Sequence, residues 1–267
     1  MVRQILLPQK PSLLPRPGTA AGKQLRAGFI SSLSHIGPTA LLWLPSIDDT
    51  TTTTEASRNA RVLTYDASIA GRKGVQGSGV TVDFDGTDDE ADTPDVDGLS
   101  FGNSAIDQPF SIVVLCKPDA NNALMSLVAK ASSATVGEEY QFFLDASGHL
   151  NFQLQDESVD TYLEARYAAA VGTAWTLLGG TYDGSGGIFG LALFTDGLTR
   201  TDTNDSSGTY VAMENGAALV HLGARYTTKE QFFNGQIALA VVYEKQLSRD
   251  EMWQIKTNVN SFFGLTL

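Results

Sequence analysis

The chain has 267 residues, with 30 Asp and Glu against 18 Lys and Arg and a net charge of −12. That sign excludes general nucleic-acid binding, which needs a basic face to replace the counterions of phosphate. No apolar run approaches the roughly 18 to 20 residues that cross a bilayer, and the opening Met1–Lys10 lacks the apolar stretch of a secretion signal. A soluble protein without a membrane partner is expected. The length admits one large core stable without disulfides, and Cys116, the single cysteine, reads as a buried small hydrophobe in the run from Phe110.

Charge is divided along the chain. Residues 1–47 hold Arg3, Lys10, Arg16, Lys23 and Arg26 and no acid, so this stretch is +5 and the remaining 220 residues carry −17. Prolines at positions 8, 11, 15 and 17 remove backbone donors and push their predecessors to extended geometry. Residues 1–39 are therefore expected to form an extended, basic, proline-rich arm. Its apolar clusters suit burial against a partner, which makes Arg3, Ile5, Leu6, Leu7, Lys10, Leu13, Leu14, Arg16, Lys23 and Arg26 the candidate anchoring residues. The core is expected to begin near Ala40, so that removing residues 1–38 leaves a folded body.

Beyond residue 40, short apolar or alternating runs are separated by Gly, Asp, Asn and Pro signals. They predict strands near 40–45, 61–65, 79–84, 109–117, 122–130, 139–145, 149–155, 160–167, 174–182, 187–195, 218–223 and 235–243, the pattern of an all-β antiparallel sandwich. The threonine run 50–54 is read as a loop. Alternation after the turn at Gly148 places Leu150, Phe152 and Leu154 on one face. Ser248 and Glu251 form a capping box ahead of Met252, Ile255 and Val259, which predicts one helix over about 248–261, stopped by Gly264.

Several phrases in order resemble the laminin-G-like, concanavalin A-like jelly-roll family. They are Val82-Asp-Phe-Asp-Gly-Thr-Asp-Asp, Pro109-Phe-Ser-Ile, Trp175 with Gly180-Thr-Tyr-Asp-Gly, Thr195-Asp-Gly, Leu222-Gly-Ala, Phe233-Asn-Gly-Gln-Ile-Ala, and Val242-Tyr-Glu-Lys-Gln-Leu-Ser-Arg-Asp-Glu. The likeness covers about residues 40–263 and implies a two-sheet jelly-roll sandwich. A basic arm ahead of such a sandwich looks like the laminin-G-like proteins that tailed bacteriophages carry as head-decoration or tail-appendage components. By that resemblance the chain is a non-catalytic accessory protein of a virion, made in the host cytoplasm and attached through its arm to other virion proteins or copies of itself. A carbohydrate-binding adhesin, with a host-surface glycan as partner and calcium as a possible cofactor, is the rival reading.

Eight acids lie between Asp83 and Asp97, and oxygen ligands bunched in a loop suit Ca²⁺. Asp85, Asp88, Asp89 and Asp92 are the candidate ligands, against the commoner case of a solvated acidic loop. No catalytic residue is assigned. The Glu-x-Asp-x-x-Glu strand pattern of related glucanases is absent, with Glu90-Ala-Asp92 only a fragment, and His35, His149 and His221 stand apart without triad neighbours. Trp43, Trp175 and Trp253 are expected to be packed, which leaves Tyr162, Tyr167, Tyr210 and Tyr226 as half-exposed rings with no feature marking one as a sugar platform.

Overall fold

The computed structural model describes residues 14–66, 69, 72–132, 137–226 and 230–267. Of the candidate anchors, Arg3, Ile5, Leu6, Leu7, Lys10 and Leu13 lie outside the described residues. Helix α1 (Ala20–Ser34) precedes strands β1 (Thr39–Trp43), β2 (Thr52–Thr54), β3 (Val62–Tyr65), β4 (Lys73–Gln76), β5 (Gly79–Asp85) and β6 (Ala91–Thr93). Then come β7 (Phe110–Pro118), β8 (Met125–Lys130), β9 (Tyr140–Leu144), β10 (His149–Asp156), β11 (Thr161–Ala170) and β12 (Thr176–Tyr182). β13 (Leu191–Thr195), β14 (Leu198–Thr199), β15 (Thr203–Ser207), β16 (Val220–Leu222), β17 (Asn234–Tyr243) and helix α2 (Arg249–Phe263) complete the order.

The strands form two antiparallel sheets. The eight-stranded sheet runs β14-β13-β12-β7-β17-β5-β4, with β1 also on β17, and the nine-stranded sheet runs β15-β11-β10-β9-β8-β16-β6-β3-β2. Between them lies the main core, to which β10 contributes Leu150, Phe152 and Leu154 as the alternation predicts. The β9–β10 turn closes at Gly148, whose φ of +77° a side chain would resist.

A second core lies outside the eight-stranded sheet. On β7, Ile112, Val114 and Cys116 face the main core while Val113 and Leu115 face away, and β17 divides likewise, with Val242 inside and Val241 outside. A strand buried on both faces reads as a continuous apolar run, and here the outer face is covered by α1 and α2.

Helix α1 corrects the expected arm. Pro17 is the last proline before Pro38, and Ala20, Ala21, Lys23, Gln24, Leu25, Arg26 and Ala27 are favourable helix formers. Thr19 caps the start, its hydroxyl accepting from the Gly22 N–H at 3.1 Å. Phe29 stacks on Phe262 at 4.4 Å between ring centroids, and Leu33 and Ile36 are buried beside it. The packed body therefore begins well before Ala40.

Three further expectations change. Thr52–Thr54 is a strand paired with Val62–Thr64 rather than a loop. Trp253 is 51% exposed on α2 and Trp175 is half-buried, while Trp43 is buried as expected. Tyr226 is buried rather than half-exposed.

Candidate binding face

The two sheets have different outer faces, since the helices cover only the eight-stranded one. On the nine-stranded sheet, outward residues register in one row across seven strands: Asp92, His221, Ala129, Gln141, Gln153, Glu164 and Asp205. The segment after β16 covers part of it. Ser126 donates its N–H to the Gln231 carbonyl at 2.7 Å, and the Gln141 amide reaches the Gln231 side chain at 2.6 Å. The other part, on β10, β11 and β15, is half-exposed, with Gln153, Gln155, Tyr162, Glu164 and Arg166 alternating against core Leu154, Leu163 and Ala165.

This open half is charged and internally bonded. The Arg166 guanidinium and the His149 ring meet the Asp145 carboxylate at 3.1 and 3.0 Å. Burial would raise the Asp145 carboxyl, but the His149 N–H, the His149 ring and the Ser147 N–H outweigh it and hold the group below its ordinary value. Glu164 is raised, chiefly by burial and then by neighbouring Asp205, with Arg166 pulling it back. The arrangement offers donors and acceptors side by side on a flat strand surface, suited to a polyhydroxylated or peptide-like ligand. It is not a triad. The described polar contacts of His149 are to Asp145 and Arg166, and His221, buried in the row, bonds Glu90 at 2.7 Å; neither ring meets a hydroxyl or thiol there.

The candidate calcium ligands divide. Asp85, the last residue of β5, and Asp88 and Asp89 after it have carboxylate oxygens within 4.8 Å of one another, whereas Asp92 sits apart in β6, paired with Thr64 and His221. Arg72 already occupies the cluster, its Nη1 lying 2.7 Å from Asp89 and 3.1 Å from Asp85. Asp89, fully buried, also accepts the Asp85 N–H at 2.8 Å. A cation would have to displace that guanidinium from both carboxylates, so the donor set does not fit a ready cage of the 6 to 8 oxygens that calcium takes.

Of the described anchoring candidates, two bind their own body. Arg26 donates to the Leu44 carbonyl at 2.6 Å, and Lys23 faces Asp48 at 3.8 Å. Arg16 is exposed, and Leu14 lines a groove of about 300 Å³ between α1 and α2 with Leu25, Phe29, Asn258 and Phe262. Sequence reasoning missed Phe189, which is 89% exposed. Its setting, Gly186-Gly187-Ile188-Phe189-Gly190, was read as part of a strand near 187–195, and the flanking glycines were the signal of a loop.

The sequence pattern described as the concanavalin A-like lectin/glucanases superfamily matches residues 85–252, more than half of the chain. No curated protein matches the chain by sequence. Domain 4 of an extracellular arabinanase from Geobacillus stearothermophilus, solved with arabinotriose, superposes with a TM-score of 0.60 at 15% identity, covering 82% of this chain and 98% of that one. The binding domain of a paraclostridial mosquitocidal protein gives 0.62 at 12% identity over 86% of this chain and 56% of its own. A botulinum neurotoxin serotype D binding domain gives 0.58 at 11% over 85% and 52%. At these identities the likeness is one of fold.

Proposed function

The chain belongs to the concanavalin A-like lectin/glucanases superfamily, and on that premise we propose that it is a non-catalytic binding module fixed to a larger assembly through its N-terminal residues. The observation that carries the reading is the two-ended layout. Helix α1 fastens residues 14–34 to the back of one sheet, and the other sheet keeps half of its outer face open on the opposite side. Residues 1–13 lead into Leu14 beside the helix groove and bring Arg3, Lys10 and Ile5-Leu6-Leu7 with no acid. A chain that enters the body beside the helices at the back, with a polar face at the front, suits an accessory protein of a virion, as a head decoration or tail appendage.

A glycan on the open face is the second reading. Its support is the row of Gln153, Glu164 and Asp205 beside Tyr162 and Arg166, together with the arabinotriose-bound arabinanase domain that shares the sandwich. Deleting residues 1–13, which leaves α1 intact, is expected to keep the protein folded and abolish incorporation into its parent particle. Normal incorporation of the truncated chain would sink the attachment reading, and a glycan-array signal lost on Glu164→Gln would then favour the second.

A further inference from the structure

Lys130 ends β8 as a fully buried lysine, and three segments close on its nitrogen: Asp95 and Ser100 after β6, Glu139 at the head of β9, and Gly216 ahead of β16. Nζ donates to the Glu139 carboxylate, to the Ser100 hydroxyl at 2.8 Å and to the Gly216 carbonyl at 2.6 Å. Those three bonds use every proton an ammonium has. Asp95 Oδ1 nevertheless lies 3.0 Å from the same nitrogen, buried and in no hydrogen bond, and Glu139 Oε2 is likewise buried without a partner. Register holds the groups in place. Thr93, Val220 and Lys130 share one row across β6, β16 and β8, with Asp95 two residues beyond Thr93. Glu139 is fixed through its N–H on the Lys130 carbonyl at 2.9 Å, and its carboxylate accepts from the Gly216 N–H at 2.9 Å and the Ser100 hydroxyl at 3.2 Å.

The cluster is poorly balanced as an ion pair. Two carboxyls face one ammonium, with Lys130 and Glu139 wholly out of water, and two carboxylate oxygens are left unbonded. Buried charge of this kind is costly, so a reaction that turns an ammonium and a carboxylate into a neutral amide is favoured here more than it is in water. The parts for that reaction are present. Asp95 and Nζ are held at reacting distance in a dry site, and burial raises the Glu139 carboxyl to about 7, where it can take up and release a proton near neutrality. We propose that Lys130 and Asp95 join in an intramolecular isopeptide bond, with Glu139 as the proton carrier. Nζ bonds to the Asp95 carboxyl carbon while the bond from that carbon to one carboxyl oxygen breaks. Of the three ammonium protons one stays on the amide nitrogen, and Glu139 passes two to the departing oxygen, which leaves as water past the partly exposed side of Asp95. The step needs no oxidant or cofactor. The bond ties the end of β8 to the segment after β6 across β16, a staple that reduction does not open in a chain whose single cysteine allows no internal disulfide.

Intact-mass spectrometry of the full chain, folded at neutral pH for days and then denatured, reads the result directly. Expected is a mass one water below that of the sequence, and a digest with one branched peptide joining the stretch that holds Asp95 to the stretch that holds Lys130. Glu139→Gln should slow formation of the bond at least about a hundredfold, the loss expected of a general acid–base group. Asp95→Ala, at a partly exposed position, should keep its full mass, and circular dichroism checks that both variants fold. The wild-type mass and digest decide the matter without either variant. A wild-type chain that retains its full mass overturns the inference. So does a lost water with no branched peptide, which would mark a succinimide at Asp97-Gly98, and so does a branch at Glu139 in place of Asp95.

Discussion

Lys130 is fully buried in an acidic body, and its ammonium is held by Glu139, the Ser100 hydroxyl, the Gly216 carbonyl and Asp95. Burial pushes the Glu139 carboxyl up from an ordinary 4.5 to about 7, although Lys130, the Gly216 N–H and Ser100 hold it down. A raised folded value means that the native state keeps a proton that the unfolded chain releases. This group's stabilisation is thus fully present below 4.5 and is lost as pH rises through about 7. Glu139→Gln should flatten the fall of Tm between those limits, a change that calorimetry at several pH values would detect; an unchanged slope would remove Glu139 as its source. A second test concerns Asp89, where Ala would leave the Asp85 N–H without its acceptor and Arg72 with Asp85 alone, at a cost of about 1 to 3 kcal/mol. Millimolar Ca²⁺ followed by chelator should leave the wild-type Tm unmoved if Arg72 is the resident cation. A clear rise with calcium would show that the ion displaces it. The crowd of acids was legible in the sequence, but Arg72 was not, because it reaches Asp89 across 17 positions and only the β4–β5 hairpin brings them together.

Helix α1 separates what periodicity reveals from what it hides. The predicted strands recur with shifts of a few residues because alternation and turn glycines act locally, and the α2 capping box appears as read, with Ser248 and Glu251 bonded reciprocally. The strands that were missed, β2, β4, β6, β14 and β15, are short and mostly polar, with at most one large apolar residue each, so they carry neither an apolar run nor an alternation. The missed helix had a different cause: proline density before Pro17 was extended over a proline-free stretch. The unbroken apolar runs of β7 and β17 were the overlooked sign that the sheet's outer face needed a cover. If α1 belongs to the body, Phe29→Ala should cost about 3 to 5 kcal/mol, as other buried phenylalanines do, and removing residues 1–38 should expose the second core. Denaturant titration of the two variants beside a chain lacking residues 1–13 checks this. Wild-type stability in all three would return α1 to the role of a loose arm.

At the scale of the whole molecule, a lead of +5 precedes a body of −17, but two of the five positive charges are engaged at home, Arg26 on the Leu44 carbonyl and Lys23 beside Asp48. Arg16 is exposed, and Arg3, Lys10, Ile5, Leu6, Leu7 and Leu13 lie outside the described residues as the other candidates for a partner contact. Exposed pairs weaken as salt screens them beyond about 8 Å at physiological strength, and each contributes about 0 to 1 kcal/mol. A leucine buried on docking contributes about 1.5 to 3 kcal/mol before the cost of ordering it. If these residues attach the chain to an assembly as proposed, attachment should depend on the leucines for its lifetime and on the arginines for its rate, since surface charge chiefly steers encounter. Leu6→Asp with Leu13→Asp is expected to release the protein from its assembly at moderate salt, and Arg3→Gln with Arg16→Gln to slow attachment while leaving the bound state intact. Surface plasmon resonance against the isolated particle separates the two rates. Release by the arginine pair, with the leucine pair still bound, would show that the contact is electrostatic and that the apolar cluster at Ile5–Leu7 has another purpose.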